Sequence, residues 1–171
     1  MAHVELAFRA VERNASSLVL LGTQPHEPEP EYGYILPDRE AHPDVCEVSE
    51  FVEKPAPDAA LKLIAQGGLW NTMVIVFKVK TLLDLLCRVA PRMYHFFGHI
   101  VDAIGTASEL DAVNHSYRRM EAMNFSKGLL ENFSVVNASR LMVLPVRDVH
   151  WSDWGSEHRI TSVLQNARDL I

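Results

Sequence analysis

Leu69-Trp-Asn-Thr-Met-Val-Ile-Val-Phe77 is the stretch on which the fold turns. Its last five residues, Met73 to Phe77, are apolar at both parities. A strand with two apolar faces is covered on both, as in a parallel sheet with helices above and below. The flanks agree. Upstream, Asp58 to Gln66 places Ala60, Leu61 and Ile64 on a helical face, and Gly67-Gly68 stops that helix. Downstream, Thr81-x-x-Asp84 has the spacing of a capping box ahead of Leu82, Leu83, Leu85, Leu86 and Val89. Pro91 interrupts this pattern, and a mostly helical insert runs to about Met120.

The same alternation extends to both ends. Val4, Ala7, Phe8 and Val11 form a helical stripe, followed by the apolar run Leu18 to Leu21, which Gly22 closes. Thr23 to Pro30 is a Pro- and Glu-rich loop, Tyr32 to Leu36 a short strand, Pro37 to Asp44 a second loop, and Val45 to Lys54 a strand ended by Pro55. Phe125 to Leu130 starts a short helix and Arg140 to Pro145 is a strand. Ile160, Val163, Leu164 and Ala167 form a last helix opening at Ser156. Helices alternating with apolar strands predict an α/β fold. The 171 residues are expected to form one domain.

Composition narrows the function. The chain is 48% apolar and 22% charged, which is ordinary for a folded protein. Its net charge is −6 and it has no basic patch, so no nucleic acid is expected as a partner. No apolar run approaches the length that crosses a bilayer, and no basic start precedes an apolar stretch. Cys46 and Cys87 stand far apart and are read as reduced thiols in a cytoplasmic protein. The eight histidines are read as scattered surface side chains rather than a zinc site.

Four short stretches carry the chemistry. In Tyr32-Gly33-Tyr34, glycine between aromatics lets another group approach the backbone. In Phe51-Val-Glu53-Lys54-Pro55, the carboxylate of Glu53 suits hydroxyl groups and the ammonium of Lys54 suits a phosphate. Strand alternation sends these two side chains apart, so they are not expected to pair. In Leu69-Trp-Asn71-Thr72, the amide of Asn71 both donates and accepts. In Trp151-Ser-Asp153-Trp-Gly-Ser156, a carboxylate between two indoles wants a cation or a donor, and it can equally cap the final helix. The chain contains no Gly-rich strand–loop–helix unit of the kind that cradles nucleotide phosphates.

In this order the four stretches resemble the sugar-phosphate nucleotidyltransferase family, and within it the mannose-1-phosphate guanylyltransferases, from about Leu18 to about Ile160. The resemblance implies part of a doubly wound, Rossmann-like sheet with a helical insert. The implied reaction transfers a nucleotidyl group from GTP to mannose 1-phosphate, giving GDP-mannose and pyrophosphate, with Mg2+. It places Glu53 and Asn71 on the sugar, Lys54 on the sugar phosphate, Tyr32, Gly33, Tyr34 and Thr72 around the sugar, and Asp153 on the metal. Asp153 and Lys54 are the implied catalytic residues.

The family's Gly-rich signature does not occur in these residues, and the Asp that usually precedes the late Glu131 is replaced near Ser126. The resemblance therefore implies the C-terminal, sugar-binding portion of that family's domain. The chain is expected to be inactive alone and to form a homo-oligomer through the strands around Met73 to Phe77. Thymidylyl or uridylyl transfer to glucose 1-phosphate, and a non-catalytic sugar-phosphate-binding subunit, are the alternatives.

Overall fold

Ser17–Thr23 (β1) is buried along its whole length. Its alternation divides the core in two. Leu18 and Leu20 pack with Ile35, Phe51, Leu85, Leu86, Leu130 and Val143. Val19 and Leu21 face the other way, onto Ala7, Val11, Val76 and Leu144. The computed structural model describes residues 2–38, 45–133, 140–157, 159–161 and 164.

The remaining strands are Gly33–Asp38 (β2), Cys46–Glu53 (β3), Leu69–Phe77 (β4) and Arg140–Val146 (β5). β1 runs antiparallel to β4 on one side and parallel to β5 on the other. β2 and β3 form an antiparallel pair from Gly33 opposite Glu53 to Asp38 opposite Glu47. Two short antiparallel ladders complete the circuit: Tyr34 and Ile35 to Trp70 and Leu69, and Cys46 and Glu47 to Val143 and Met142. The sheet thereby closes in the order β1-β4-β2-β3-β5.

Helices cover this sheet, and the α/β class holds. Ala2–Arg13 (α1) rests on β1 through Ala7 and Val11, whereas Val4 and Phe8 of the expected stripe are exposed. Pro57–Ala65 (α2) buries Ala60 and Leu63 against Tyr32, Tyr34 and Trp70. Leu61, expected inside, is exposed, because it lies well off the face shared by Ala60, Leu63 and Ile64. Val79–Val89 (α3), Pro91–Ala103 (α4) and Glu109–Arg119 (α5) follow, the last two making up the expected insert. Ser126–Leu130 is a π-helical turn whose Leu129 and Leu130 enter the core.

Three expectations are corrected. β4 is not the strand covered on both faces: it is antiparallel to both neighbours, and Met73 and Val74 are exposed. The doubly covered strand is β1, which has a parallel partner in β5. The capping box does not form. Lys78 is the N-cap, without a side-chain cap bond, and Thr81 lies inside the first turn, where its hydroxyl donates to the Ala15 carbonyl at 2.6 Å. Finally, the histidines are not all scattered. His95 and His99, four residues apart on α4, have their Nε2 atoms 3.0 Å apart, because one helical turn brings i and i+4 onto one face. A helical turn does begin at Glu157, but Val163 and Ala167 of the expected last helix, and most of the second loop, lie outside the described residues.

Candidate functional site

β2, β3 and β4 each bring one expected residue to a common place. Gly33 stands opposite Glu53 across the β2–β3 ladder. A Cβ added at Gly33 would lie 2.7 Å from Glu53 Oε2, 3.1 Å from Phe51 Cζ and 3.4 Å from Asn71 Cβ. Glycine leaves room here for a close approach, and the Glu53 carboxylate occupies the space its missing side chain leaves.

Asn71 is almost fully buried, so its polar atoms need partners. Its Oδ1 accepts the Met73 N–H at 3.1 Å, and its Nδ2 lies 3.0 Å from Met73 Sδ. This local loop is built by a bulge. Gly22 pairs with Asn71 while Leu20 pairs with Ile75, so three residues of β4 face one residue of β1. Met73 takes a φ of 59° within it. The Thr72 hydroxyl donates to the Leu21 carbonyl at 2.7 Å and accepts from the Val74 N–H at 3.3 Å. Thr72 therefore closes the bulge, and its hydroxyl is committed to the backbone. Bulges re-aim side chains in this way next to functional sites.

Two residues from the π-helical region complete the cluster. The Glu53 N–H donates to Glu131 Oε1 at 2.8 Å, tying the end of β3 to that turn. Ser126 is buried, with its Oγ 3.7 Å from Met73 Sδ. Lys54 follows Glu53 in a left-handed conformation, φ 51°, where the strand turns away. Its ammonium lies 3.5 Å from Glu31 Oε2, with both side chains more than half exposed. As expected, Glu53 and Lys54 are not a mutual pair. The Lys54 ammonium is available, because an exposed pair of this kind contributes little.

The expected tyrosines and Asp153 gather elsewhere. Tyr34 is fully buried with Trp70, and its hydroxyl accepts the Glu29 N–H at 2.9 Å. Of the Tyr-Gly-Tyr stretch, only Gly33 meets Glu53 and Asn71; strand alternation sends Tyr34 to the α2 face. Tyr32 packs edge-on against Trp70 and Trp151, at ring-centroid distances of 5.0 and 5.1 Å. Its hydroxyl lies 3.3 Å from both Asp153 Oδ1 and the Asp153 N–H. Arg159, which belongs to none of the sequence motifs, stacks over the Tyr32 ring at 4.9 Å and pairs with Asp153 and Glu29. Burial pushes the Asp153 carboxyl up, but the Arg159 hydrogen bond, the Gly155 N–H and the Tyr32 hydroxyl together hold it below its ordinary value. The Arg159 guanidinium is raised in turn, chiefly by its bond to Asp153.

No cluster of three metal-ligating side chains occurs among the described residues. A separate cleft of about 500 Å³ is lined by Gln24, Gly67, Gly68, Leu69, Pro145 and Arg147, among others, and by none of the expected site residues.

A glycine-hosted carboxylate, a buried amide on a bulge and a cation at a strand end form an arrangement that can be compared with known proteins. The profile described as Nucleotidyl transferase matches residues 1–169. The chain belongs to the nucleotidyl transferase family. It is 30% identical over 165 residues to a mannose-1-phosphate guanylyltransferase of Escherichia coli, covering 89% of this chain and 33% of the relative. It is 30% identical over 158 residues to a mannose-1-phosphate guanylyltransferase of Klebsiella pneumoniae, covering 88% and 32%. The chain thus spans about a third of the length of these curated relatives. Among solved structures, it superposes with a TM-score of 0.69 on a Thermus thermophilus protein described as a mannose-1-phosphate geranyltransferase. That match is 26% identical and covers 84% of this chain and 38% of the other. In this nucleotidyl transferase chain the Gly33–Glu53–Asn71 cluster and the Tyr32–Asp153–Arg159 cluster are therefore two distinct places, joined through the Tyr32-Gly33 backbone.

Proposed function

We propose that this chain carries the sugar-phosphate side of a nucleotidyl transfer in which mannose 1-phosphate reacts with GTP to give GDP-mannose and pyrophosphate. The observation that carries the reading is the convergence of Glu53 and Asn71 on Gly33 from three different strands. Glu53 accepts hydrogen bonds from sugar hydroxyls, and Asn71 offers a donor and an acceptor beside it. Lys54, just past the end of β3, holds the sugar phosphate as a point charge. That phosphate oxygen attacks the α-phosphorus of the triphosphate, and pyrophosphate leaves with the electron pair of the broken P–O bond.

Mg2+ belongs to this reading. The residues fit it in one respect: Asp153 is kept ionised by its neighbours, and a hard cation needs an ionised carboxylate. Asp153 would supply one oxygen, with phosphates and water as the other ligands. When bound, the ion would neutralise charge developing on the phosphates. Arg159 and Tyr32 orient Asp153, the Tyr32 hydroxyl accepting from its backbone N–H and donating to its carboxylate. We further place the protein in the cytoplasm, as a homo-oligomer associating along β4, where Ile75 to Phe77 pair with β1 on one side. No helix among the described residues is long and apolar enough to cross a membrane.

Calorimetric titration with mannose 1-phosphate tests the binding reading. Saturable binding is expected, and Glu53→Gln and Lys54→Ala should each weaken it about tenfold or more, the worth of a hydrogen bond to a charged group. Unchanged affinity in both variants would move the sugar site away from this cluster.

A further inference from the structure

The HFFGH stretch on α4 lies outside the cluster just described. His95 and His99 are both exposed, with ring centroids 4.4 Å apart, planes inclined at 77° and Nε2 atoms 3.0 Å apart. At this distance the Nε2–H of one ring donates a hydrogen bond to the Nε2 of the other. The same two nitrogens are spaced as a chelate. Two metal–imidazole bonds of about 2.0–2.1 Å span about 2.9 Å when they meet at a right angle, and about 3.3 Å at the tetrahedral angle. The observed separation lies close to both spans, so small ring rotations bring either geometry within reach.

We propose that His95 and His99 form a two-imidazole binding site for a divalent transition-metal ion, with copper(II) held most tightly. Copper(II) heads the affinity order for nitrogen ligands, and imidazole suits it. Binding requires both Nε2 lone pairs to face the ion. The ring that was donating therefore moves its proton to Nδ1, and no proton is lost overall. The cost of ordering is small, because the helix backbone already holds the rings at the required spacing. Among its described residues, α4 buries none, so the ion reaches the site without unpacking the core. Asp102, three residues beyond His99, continues the same face and lends the site negative charge. The remaining coordination positions are left to water, since no third ligating side chain converges here among the described residues.

The test pairs a site-resolved reading with an affinity. In 1H–15N correlation spectra of the whole chain, substoichiometric Cu2+ should broaden signals most strongly around His95 and His99. Calorimetry with Cu2+ should show His95→Gln and His99→Gln each losing the chelate. That is a weakening of roughly 100-fold, the scale on which linked sites exceed single ones. The double variant His95→Gln/His99→Gln should retain only the weaker sites of the other six histidines. Mg2+, which prefers oxygen ligands, should leave the α4 signals unchanged. Broadening centred on another histidine, or single variants that bind Cu2+ like the parent, would overturn the proposal. The spectra of the unsubstituted chain decide this even where a variant folds poorly.

Discussion

Gly33 and Asp153 show how much rests on single side chains. Gly33→Ala places a methyl 2.7 Å from Glu53 Oε2, so the carboxylate must move. The expected outcome is a loss of mannose 1-phosphate affinity exceeding the stability cost, which should be about 1–3 kcal/mol for overpacking. Titration and chemical denaturation on the same variant check both. Asp153 links the fold to pH. Its folded pKa lies below the unfolded value of 3.8, so its pairing stabilises the native state above that value. The contribution is lost as pH falls through the folded value. Denaturation midpoints recorded between about pH 6 and pH 2 should fall less steeply for Asp153→Asn than for the parent. Identical acid limbs would show that the pair with Arg159 has no such role.

Helix ends and strand irregularities position those side chains. α2 stops in a Schellman arrangement: the Gly68 N–H reaches the Leu63 carbonyl at 2.8 Å, and the Gly67 N–H reaches the Ile64 carbonyl at 2.9 Å, with Gly67 at φ 87°. This stop turns the chain directly into β4, which carries Trp70 and Asn71. Gly67→Ala should cost about 1–2 kcal/mol, the penalty of a left-handed non-glycine residue, and lower Tm by a few degrees. α3 is anchored differently. Thr81 bonds across to Ala15, whereas Asp84 pairs with Lys80 on the exposed surface. Thr81→Val should destabilise by about 1–3 kcal/mol, because the Ala15 carbonyl loses its partner. Asp84→Ala should change stability by under about 0.5 kcal/mol. Equal effects of the two substitutions would restore the capping box.

The assembled chain sets the limits on activity. Its 171 residues hold no Gly-rich loop to orient a triphosphate, and orientation can supply roughly 7–11 kcal/mol of a barrier. Pyrophosphorolysis of GDP-mannose by this chain alone should not rise above a protein-free control, even where mannose 1-phosphate binds. Measurable turnover would mean that other groups of the chain orient the triphosphate. The proposed homo-oligomer is tested at the same scale. Exposed Met73 and Val74 sit on β4 next to residues whose pairing is one-sided, and such edges recruit further strands. Sedimentation velocity should show a dimer or larger species, and a compact monomer at high concentration would remove β4 as an interface.

Most element positions are legible in the residues. Apolar runs at Leu18 to Leu21 and Arg140 to Pro145, the Gly67-Gly68 stop and the Pro91 break are local signals, and each structure they announce forms. Glu53, Asn71 and Gly33 are also visible as unusual chemistry in their own stretches. The HxxxH spacing on α4 is written in the residues too, and reading the eight histidines as scattered missed it; set on a helix, that spacing alone identifies the pair. Other features cannot be read locally. Which strand is covered on both faces depends on its neighbours: β4 is the more apolar of the two in sequence, but only β1 is buried along its full length. The commitment of Thr72 to Leu21 and the bulge that turns Met73 both arise where strands remote in sequence meet. Arg159 carries no motif, and its place over Tyr32 exists only because the chain brings residues 32 and 159 together. Periodicity and capping are properties of a few adjacent residues, so composition and spacing reveal them. Pairing, register and burial are set by contacts across the whole chain, and no single stretch contains them.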